Sequence, residues 1–471
     1  MKKFLRRLGW TVLTLIILVV AFYGEENWRG KHAWEKYRHE REALGDSFEW
    51  ASIVPPPVPD AENFAATPLF AELFPKPSEH PRLAAIKLPD CCDVVGGNWR
   101  VGRVENLTAW QKCFSNDNLL AALSKYDPIL SEIAEASHRP KCRFPIRYED
   151  HSMAWLPHLA YIRSLARDYR LRALAELTAG QTDAALADVR MCLHLASILE
   201  GEPILISFLV RIAILDPPIH SIWEGLAAHR WTDTQLKELQ TEVERVDQFD
   251  AFAKAMHGER LFAYSAGRML LQKPDECAML MESMLGGSFR STAMILRIVP
   301  TGWWYQNMLT ADRFYTATYL PAVGWEQRRI SPRVLKNVDE AAKAMQMMPY
   351  NIVCKLMAAG TSSIAKKVAL SQTALDQIAT ACALERYRLA KGELPEKLDA
   401  LVPAFIAKVP HDVIDSQPLR YRRTAADQFV LYSVGWNETD DGGQIAFTGS
   451  GSSRHQDFDK GDWVWFSARQ D

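Results

Sequence analysis

The sequence predicts a mainly α-helical protein with an N-terminal transmembrane helix, an α-helical domain and a small C-terminal α+β module with an antiparallel sheet. Three observations predict this fold class. Basic residues precede an apolar run at the amino terminus, which is the pattern of a membrane-insertion signal. Apolar residues then recur with helical spacing through the middle of the chain. Near the carboxyl terminus, a long helical pattern gives way to short runs of aromatic and β-branched residues, which predict strands.

These patterns divide the chain into consecutive segments. Residues 1–24 contain a basic cytoplasmic end and the membrane anchor, and residues 25–54 form a charged juxtamembrane helix. Residues 55–106 are a Pro-rich linker that wraps irregularly over the next domain. Residues 107–362 form the helical domain, and residues 363–471 form the α+β module.

The amino-terminal segment has the layout of a signal-anchor. Four basic residues come first, namely Lys2, Lys3, Arg6 and Arg7. A membrane-spanning helix needs about 20 residues, and the stretch 8–24 just reaches the usual range. Basic residues stay on the cytoplasmic side. The sequence therefore predicts a single-pass protein of a bacterial inner membrane, held in the lipid bilayer by residues 8–24, with its C-terminal bulk in the periplasm.

Two other interpretations of this segment remain open. Val19 and Ala21 are small enough to form a signal-peptidase site after Ala21, which would remove the segment. Basic residues followed by Gly9 and an aliphatic run also resemble a prepilin leader, although Thr14 stands where such leaders carry an acidic residue. The uncleaved anchor is favoured because the apolar stretch has no clear break at small residues.

The juxtamembrane segment is rich in charge, with aromatic residues interspersed. Trp28, Trp34 and Tyr37 lie among Glu, Lys and Arg residues between Glu25 and Gly45. This pattern predicts a helix that continues out of the membrane, with aromatic side chains near the lipid headgroups. A solvated spacer helix is the expected role.

Charge balance excludes one class of partner. The chain has 55 Lys and Arg against 57 Asp and Glu, and these residues are mixed along the sequence. A nucleic-acid-binding protein would concentrate basic residues on one face or stripe. No nucleic-acid partner is therefore expected.

The eight cysteines suggest limited disulfide bonding on the oxidising side of the membrane. They are Cys91, Cys92, Cys113, Cys142, Cys192, Cys277, Cys354 and Cys382. Cys192 and Cys382 lie on apolar helix faces, which favours a core position. Cys113 and Cys142 flank a helical segment and are the better candidates for pairing, but the connectivity cannot be deduced from sequence.

Within the helical domain, two patterns stand out. Gly180 separates two amphipathic helices, and the pair looks like one tetratricopeptide-type unit without a second copy at a fixed period. Ile204 to Leu215 is almost entirely apolar and predicts a buried helix that ends at Pro217-Pro218. Arg211 lies in this helix and therefore needs a carboxylate or carbonyl partner.

The C-terminal module has the clearest local signals. A helix is predicted from Ile364 to Lys391, and Gly392 stops it. Pro418–Tyr421 and Phe429–Ser433 predict two antiparallel strands, and Trp463–Phe466 predicts a third.

The residues of this module resemble the globular end of the major pseudopilins of type II secretion. The shared features are Leu384–Leu389, Gly392, Leu394-Pro395, Pro410-x-Asp412, Pro418-x-x-Tyr421, Phe429-x-Leu431-Tyr432-Ser433-x-Gly435 and Asp441-Gly442-Gly443. The resemblance implies a long helix packed on a small antiparallel sheet. It also implies a calcium-binding loop near the carboxyl terminus. The corresponding residues here are Asn437, Asp440, Asp441, Asp459 and Asp462. Hard oxygen ligands suit Ca²⁺, and a solvated acidic turn is the alternative.

The helical domain is similar to uncharacterised membrane-anchored proteins of environmental bacteria. This similarity is carried by residues 202–213, Trp223–Leu226 and His229–Trp231. It implies no activity.

The sequence contains no GxSxG, HExxH or P-loop motif. Glu149, Asp150 and His151 could supply an acid and a base, but acidic residues before a helix also cap it. The set His138, Cys142, His151 and His158 has irregular spacing, so scattered surface residues are expected rather than a zinc site.

The sequence thus predicts no enzyme, no resident cofactor other than Ca²⁺, and a role in binding or scaffolding an envelope protein partner. A minor pseudopilin-like component of a secretion or fibre system is one alternative. A hydrolase of an envelope polymer, acting through residues 149–151, is the other.

Overall fold

In the computed structural model, helices dominate the chain and the strands lie almost entirely near its carboxyl terminus. The structure describes residues 2–74, 82–85, 99–114, 118–148, 156–285, 289–358, 360–449 and 455–467. The α-helices are α1 Lys2–Ala43, α2 Pro68–Ala71, α3 Leu107–Cys113, α4 Leu119–Leu123, α5 Asp127–Ala136, α6 His158–Thr178, α7 Thr182–Ser197, α8 Leu205–Ala227, α9 Asp233–Glu244, α10 Gln248–Gln272, α11 Pro274–Leu285, α12 Phe289–Ile298, α13 Thr301–Phe314, α14 Pro332–Ala344, α15 Ile352–Ala358 and α16 Thr361–Lys391. The strands are β1 Val323–Gly324, β2 Arg329–Ile330, β3 Arg420–Arg423, β4 Phe429–Ser433, β5 Ile445–Thr448, β6 His455–Gly461 and β7 Trp463–Phe466.

Helix α1 is continuous through the predicted anchor and the juxtamembrane segment. Its first half is exposed, whereas its second half packs against α13. Trp34 and Tyr37 are buried, and Trp28 remains exposed. The expectation of a solvated spacer helix is therefore wrong for this segment, because one of its faces joins the protein core.

The described residues of the Pro-rich segment 55–106 supply part of the protein core. In the described part of this segment, short 3₁₀ turns and α2 place Phe64, Leu69 and Phe70 in full burial. Trp99 is buried as well. Its ring packs at a tilt against Trp465 of β7, and its indole N–H donates a hydrogen bond to Asp216 at the centre of α8. The segment therefore ties the C-terminal sheet to the helical domain instead of only covering it.

Helices α6 and α7 form the antiparallel hairpin that the sequence predicts around Gly180. The Cys192 thiol on α7 donates to the Ala166 carbonyl of α6, and Arg172 on α6 pairs with Asp188 on α7. Helices α8 and α9 pack beside this hairpin. The tetratricopeptide-like character of the hairpin remains an expectation.

The predicted stop at Pro217-Pro218 is wrong, since α8 runs through both prolines to Ala227. Most of the second half of α8 is buried, including Ile219, Ile222 and Trp223. Burial on several sides favours the helical path enough to override the local preference of proline. Arg211 is buried as expected. Its guanidinium donates to the Gln248 side-chain oxygen at 2.6 Å and lies 3.9 Å from the Glu200 carboxylate.

Helix α16 links the two large apolar clusters of the molecule. Val368 and Ala369 belong to the cluster built mainly from α10 and α13–α15. Leu375 and Ile378 belong to the cluster built mainly from α4–α9, which also includes residues of the segment 64–99 and of the C-terminal module. The helix ends with a left-handed Gly392, as predicted. The segment that starts at residue 363 therefore shares its helix with the core of the helical domain.

The C-terminal strands confirm the predicted antiparallel sheet. Strand β4 lies between β3 and β7, with Leu431 opposite Tyr421 on one side and Trp465 on the other. Strands β5 and β6 form a second antiparallel pair that the sequence did not predict, and β1 and β2 form a short hairpin before α14. Helix α16 packs against β4 and β7.

The division of the cysteines into disulfide-bonded and free residues differs from the sequence expectation. Cys113 forms a disulfide bond, but Cys142 carries a free thiol, so its predicted pairing is wrong. Cys192 and Cys382 are free and fully buried, as predicted. Cys91 and Cys92 lie outside the described residues.

Candidate functional site

The most distinctive surface of the molecule is the first half of α1. Its large apolar side chains are exposed to between 46% and 69%, and the most apolar window of the helix has no buried residue. Such exposure is costly in water and favourable in lipid. Helix α8 is also long and apolar enough to span a bilayer, but 56% of its window is buried inside the protein. Helix α1 is therefore the candidate membrane span that lacks a protein partner within the described residues.

Two glycines let the second half of α1 approach α13 at backbone contact. A Cβ atom built on Gly30 would lie 2.1 Å from the carbonyl oxygen of Gly302. A Cβ atom on Gly302 would lie 1.9 Å from the carbonyl oxygen of Glu26. Real Cβ atoms do not come this close to backbone oxygen. The crossing of α1 and α13 therefore requires glycine on both helices.

Polar side chains fix the same crossing. The Gly302 N–H donates to the Asn27 side-chain oxygen at 3.0 Å. The Trp303 indole donates to the Glu26 carboxylate at 2.8 Å, and Arg29 pairs with the other oxygen of Glu26. Just before these residues, the Tyr23 hydroxyl donates to the Ile298 carbonyl. The contact therefore begins where the apolar half of α1 ends.

A second polar cluster fixes the far end of α1. The Tyr37 hydroxyl donates to Asp312 of α13 at 2.7 Å, and Arg260 of α10 also pairs with Asp312. Arg260 further contacts Asp46 at 2.8 Å, and Asp46 accepts from Arg41. Burial acts to raise the pKa of Asp46, but hydrogen bonds and charge from Arg260 and Arg41 hold it below its usual value.

Burial also raises the pKa of Tyr37, to about 12, so that its hydroxyl stays protonated and can donate to Asp312. With both ends of the segment fixed, α1 is a rigid extension of the core. A flexible tether would show neither buried aromatic residues nor a closed polar network.

No family model, curated protein or solved structure matches this chain. Its function has to be inferred from the geometry of its own residues.

The residues predicted to bind calcium separate into two places. Asp440, Asp441 and Asp462 lie near one another, because the Asp462 carboxylate accepts from the backbone N–H groups of Asp441 and Gly443. The Asn437 amide donates to Asp441 at 2.9 Å. Asp459 instead pairs with Lys366 of α16. Among the described residues, no group of three or more His, Cys, Asp or Glu side chains has an arrangement suited to a metal ion.

Part of this loop is already occupied by protein donors. The Tyr432 hydroxyl donates to Asp440 at 3.1 Å, and the Arg420 guanidinium lies 3.7 Å from the same carboxylate. A cation would compete with Arg420 for Asp440. Calcium binding at this loop stays a prediction.

Asp412, the acidic residue of the Pro-x-Asp motif, accepts hydrogen bonds from several parts of the C-terminal module. Its side chain is fully buried. One carboxylate oxygen accepts from the Ile414 N–H at 2.9 Å and from the Ser433 hydroxyl at 2.8 Å. The other accepts from the Val434 N–H at 2.9 Å and from Arg420 at 3.2 Å. This carboxylate therefore joins the turn after Pro410 to the end of β4.

A groove of about 760 Å³ lies along α5 and α7 and reaches residues after α9. Arg172 lies at its base, where Asp188 binds the guanidinium through two hydrogen bonds of 2.7 Å and Asp127 through one of 2.8 Å. Charges of both signs line its rim, including Glu135, Arg190, Glu200 and Arg245. Such a lining suits a polar protein segment better than a small apolar ligand.

The remaining sequence candidates do not form a site within the described chain. His158 is fully buried, lies 2.9 Å from Glu202 and stacks on Phe144. His138 is exposed on the surface. Glu149, Asp150 and His151 lie outside the described residues. The expectation of scattered surface residues is therefore wrong for His158, because its ring lies buried between Phe74 and Phe144.

Asp168 on α6 is a buried carboxyl that the sequence did not single out. It is 3% exposed, and neither carboxyl oxygen has a hydrogen-bond partner among the described residues. Burial raises its pKa to about 8, although the charge of Arg167 acts to lower it. The side chain is therefore mostly protonated at neutral pH.

This carboxyl predicts a specific pH dependence of stability. The pKa of Asp168 in the folded state lies above the unfolded value of about 3.9, so ionisation of this buried carboxyl destabilises the fold. The free energy of unfolding is therefore least affected below about pH 3.9, and it falls as the pH rises towards 8. The variant Asp168→Asn keeps the shape and removes the ionisation. Since one pKa unit corresponds to about 1.4 kcal/mol, we expect the stability gained by the variant over the native protein to be roughly 4 kcal/mol larger at pH 9 than at pH 5.

Thermal melting at both pH values checks this expectation. The exposed Asp427, in the turn between β3 and β4, provides the control Asp427→Asn, which we expect to melt like the native protein at both pH values. Equal shifts for Asp168→Asn at pH 5 and pH 9 would contradict the assignment.

Proposed function

We propose that this chain is a single-pass membrane protein of the bacterial envelope that holds its helical domain rigidly above the bilayer as a scaffold for an envelope protein partner. The observation that carries the proposal is helix α1, whose exposed apolar half continues without a break into a half that is built into the core. A rigid connection fixes the distance and orientation of the domain relative to the membrane. This is useful for a scaffold and unnecessary for a freely tethered enzyme.

Two further observations support the periplasmic side as the location of the bulk. The basic residues before the apolar half favour a cytoplasmic amino terminus. The disulfide at Cys113 favours an oxidising compartment, because thiols stay reduced in the cytosol.

The groove along α5 and α7 is the surface that we propose for the partner. Its mixed charge favours a polar partner segment. Arg190 pairs with Glu238 and Arg245 pairs with Glu242, and both guanidinium groups are partly exposed, so carboxylates of a partner segment can join these ion pairs. The fixed α1 would keep this groove at a constant distance from the lipid surface.

Fractionation and proteolysis test the topology. We expect the full-length protein to stay in the membrane pellet after alkaline washing, and external protease to degrade the bulk in spheroplasts but not in intact cells. Crosslinking in intact cells should then recover a partner protein through the groove, and Arg190→Glu with Arg245→Glu should reduce its yield. Full-length protein in the soluble cytosolic fraction would contradict the proposal.

A second candidate function is a pseudopilin-like component of a secretion or fibre system. The observation that favours it is the packing of α16 on the antiparallel strands β4 and β7, which is the arrangement that the resemblance implies. Within the described residues, however, α1 packs mainly on α13. The scaffold is therefore the better-supported function.

A further inference from the structure

We propose that the hairpin of α11 and α12 lies on the bilayer surface as a second, interfacial membrane contact beside the α1 anchor. This inference rests on the proposed anchoring of the protein by α1. It adds a second membrane-contact surface, on residues outside the apolar span.

The directions of three helices place this hairpin at the membrane-proximal end of the domain. Along α13, Gly302 meets α1 near Glu26, and Asp312 meets it at Tyr37, so the two helices run in parallel. Helix α10 runs the opposite way, because its Arg260 contacts Asp312 and its later residue Gly267 contacts Met308. The end of α10 and the start of α13 therefore both point towards the lipid, and α11 and α12 connect them.

One hydrogen bond fixes the level of α12 relative to the bilayer. The Tyr23 hydroxyl, at the end of the apolar span, donates to the carbonyl of Ile298 in the last turn of α12. Tyrosine side chains concentrate at the membrane–water interface. The last turn of α12 is therefore at the level of the lipid headgroups.

The hairpin has two apolar faces, and the protein covers one of them. Its inner face is formed by Cys277, Ala278, Ala293 and Leu296. These residues pack on Met269 and Leu270 of α10, with Trp304 of α13 alongside. On the outer face, Met294 is 63% exposed, Ile295 60% and Ile298 51%. Met279 of α11 is exposed as well. A soluble domain would not normally keep such a cluster in water.

The charged residues near this face are paired with one another, so the apolar area of the face would supply most of its affinity for lipid. Arg297 pairs with Asp275, and Lys273 pairs with Glu276, so neither cation is left unpaired to attract anionic lipid. An amphipathic helix in the interface gains affinity from the apolar area that it buries between headgroups and acyl chains. Continuity with the span at Tyr23 makes the bilayer the occupant of this face. With two contacts, the domain cannot tilt freely about α1.

Photo-crosslinking to lipid tests the inference. The full-length protein is reconstituted into vesicles of phosphatidylethanolamine and phosphatidylglycerol that contain a clickable lipid. A photoreactive amino acid replaces Met294. A matched protein carries it at Leu389, which is 46% exposed near the end of α16. We expect several-fold more lipid adduct from position 294 than from position 389.

A second variant separates lipid contact from general accessibility. Ile295→Glu with Ile298→Glu leaves the inner face intact, and both side chains are exposed, so folding should be retained. Lipid adduct at position 294 should then fall to the level of position 389. Equal adduct at positions 294 and 389 in protein that resists alkaline washing would overturn the inference and leave the anchor standing, as would a predominant protein adduct at position 294. Release of the native protein by alkaline washing would overturn the anchor itself.

Discussion

Replacing Gly30 with alanine is expected to lower the free energy of unfolding by about 3 kcal/mol or more, at the upper end of overpacking effects. The added methyl would lie 2.1 Å from the backbone oxygen of Gly302, and a backbone atom cannot move aside as a side chain can. Relief requires α1 to move away from α13. That movement breaks the hydrogen bonds of Glu26 and Asn27 with Trp303 and Gly302.

The same helix offers a matched control for this substitution. Gly24 has no atom within 4 Å of its built Cβ position. Gly24→Ala should therefore be neutral or stabilising by up to about 1 kcal/mol, because alanine is the better helix former. Thermal melting of the full-length protein in detergent compares the two variants. Equal melting temperatures for Gly30→Ala and Gly24→Ala would show that α1 does not pack on α13 as described.

The second large effect is expected for Asp412→Ala, which should cost about 3–5 kcal/mol. The substitution leaves the N–H groups of Ile414 and Val434 and the Ser433 hydroxyl without their acceptor inside the protein. It also removes a carboxylate from Arg420. Buried donors without partners carry their full desolvation cost.

Urea unfolding measures the effect of Asp412→Ala against Asp427→Ala. Asp427 is exposed in the turn between β3 and β4, so its substitution should change stability by less than about 0.5 kcal/mol. A change of that small size for Asp412→Ala would contradict the assignment of this carboxylate as the junction between the turn and β4.

Sequence was most informative where the signals are local. Gly392 ends α16 and Phe429–Ser433 forms a strand because a left-handed glycine and a run of aromatic and β-branched residues act over a few positions. The predicted stop at Pro217-Pro218 is wrong because burial of the surrounding helix outweighs a local preference.

The docking of α1 could not be predicted because it depends on a pairing across 272 positions, between Gly30 and Gly302. A glycine inside a charged helix was the available signal, and it does not identify its partner. Asp412 had a stronger signal in its Pro-x-Asp motif, but its four donors come from separate parts of the module. Asp168 looks like any surface carboxyl in the sequence, and only the packing of α6 reveals its burial.

The most direct test of the central claim is the intact mass of protein extracted from the membrane. Because α1 continues unbroken from the lipid-exposed half into the core, we predict an uncleaved chain that begins at the first residues of the sequence. A new amino terminus at Phe22 would show a removed signal peptide, and one at Trp10 would show processing as a prepilin. Either terminus would contradict the account of α1 as a retained, rigid anchor.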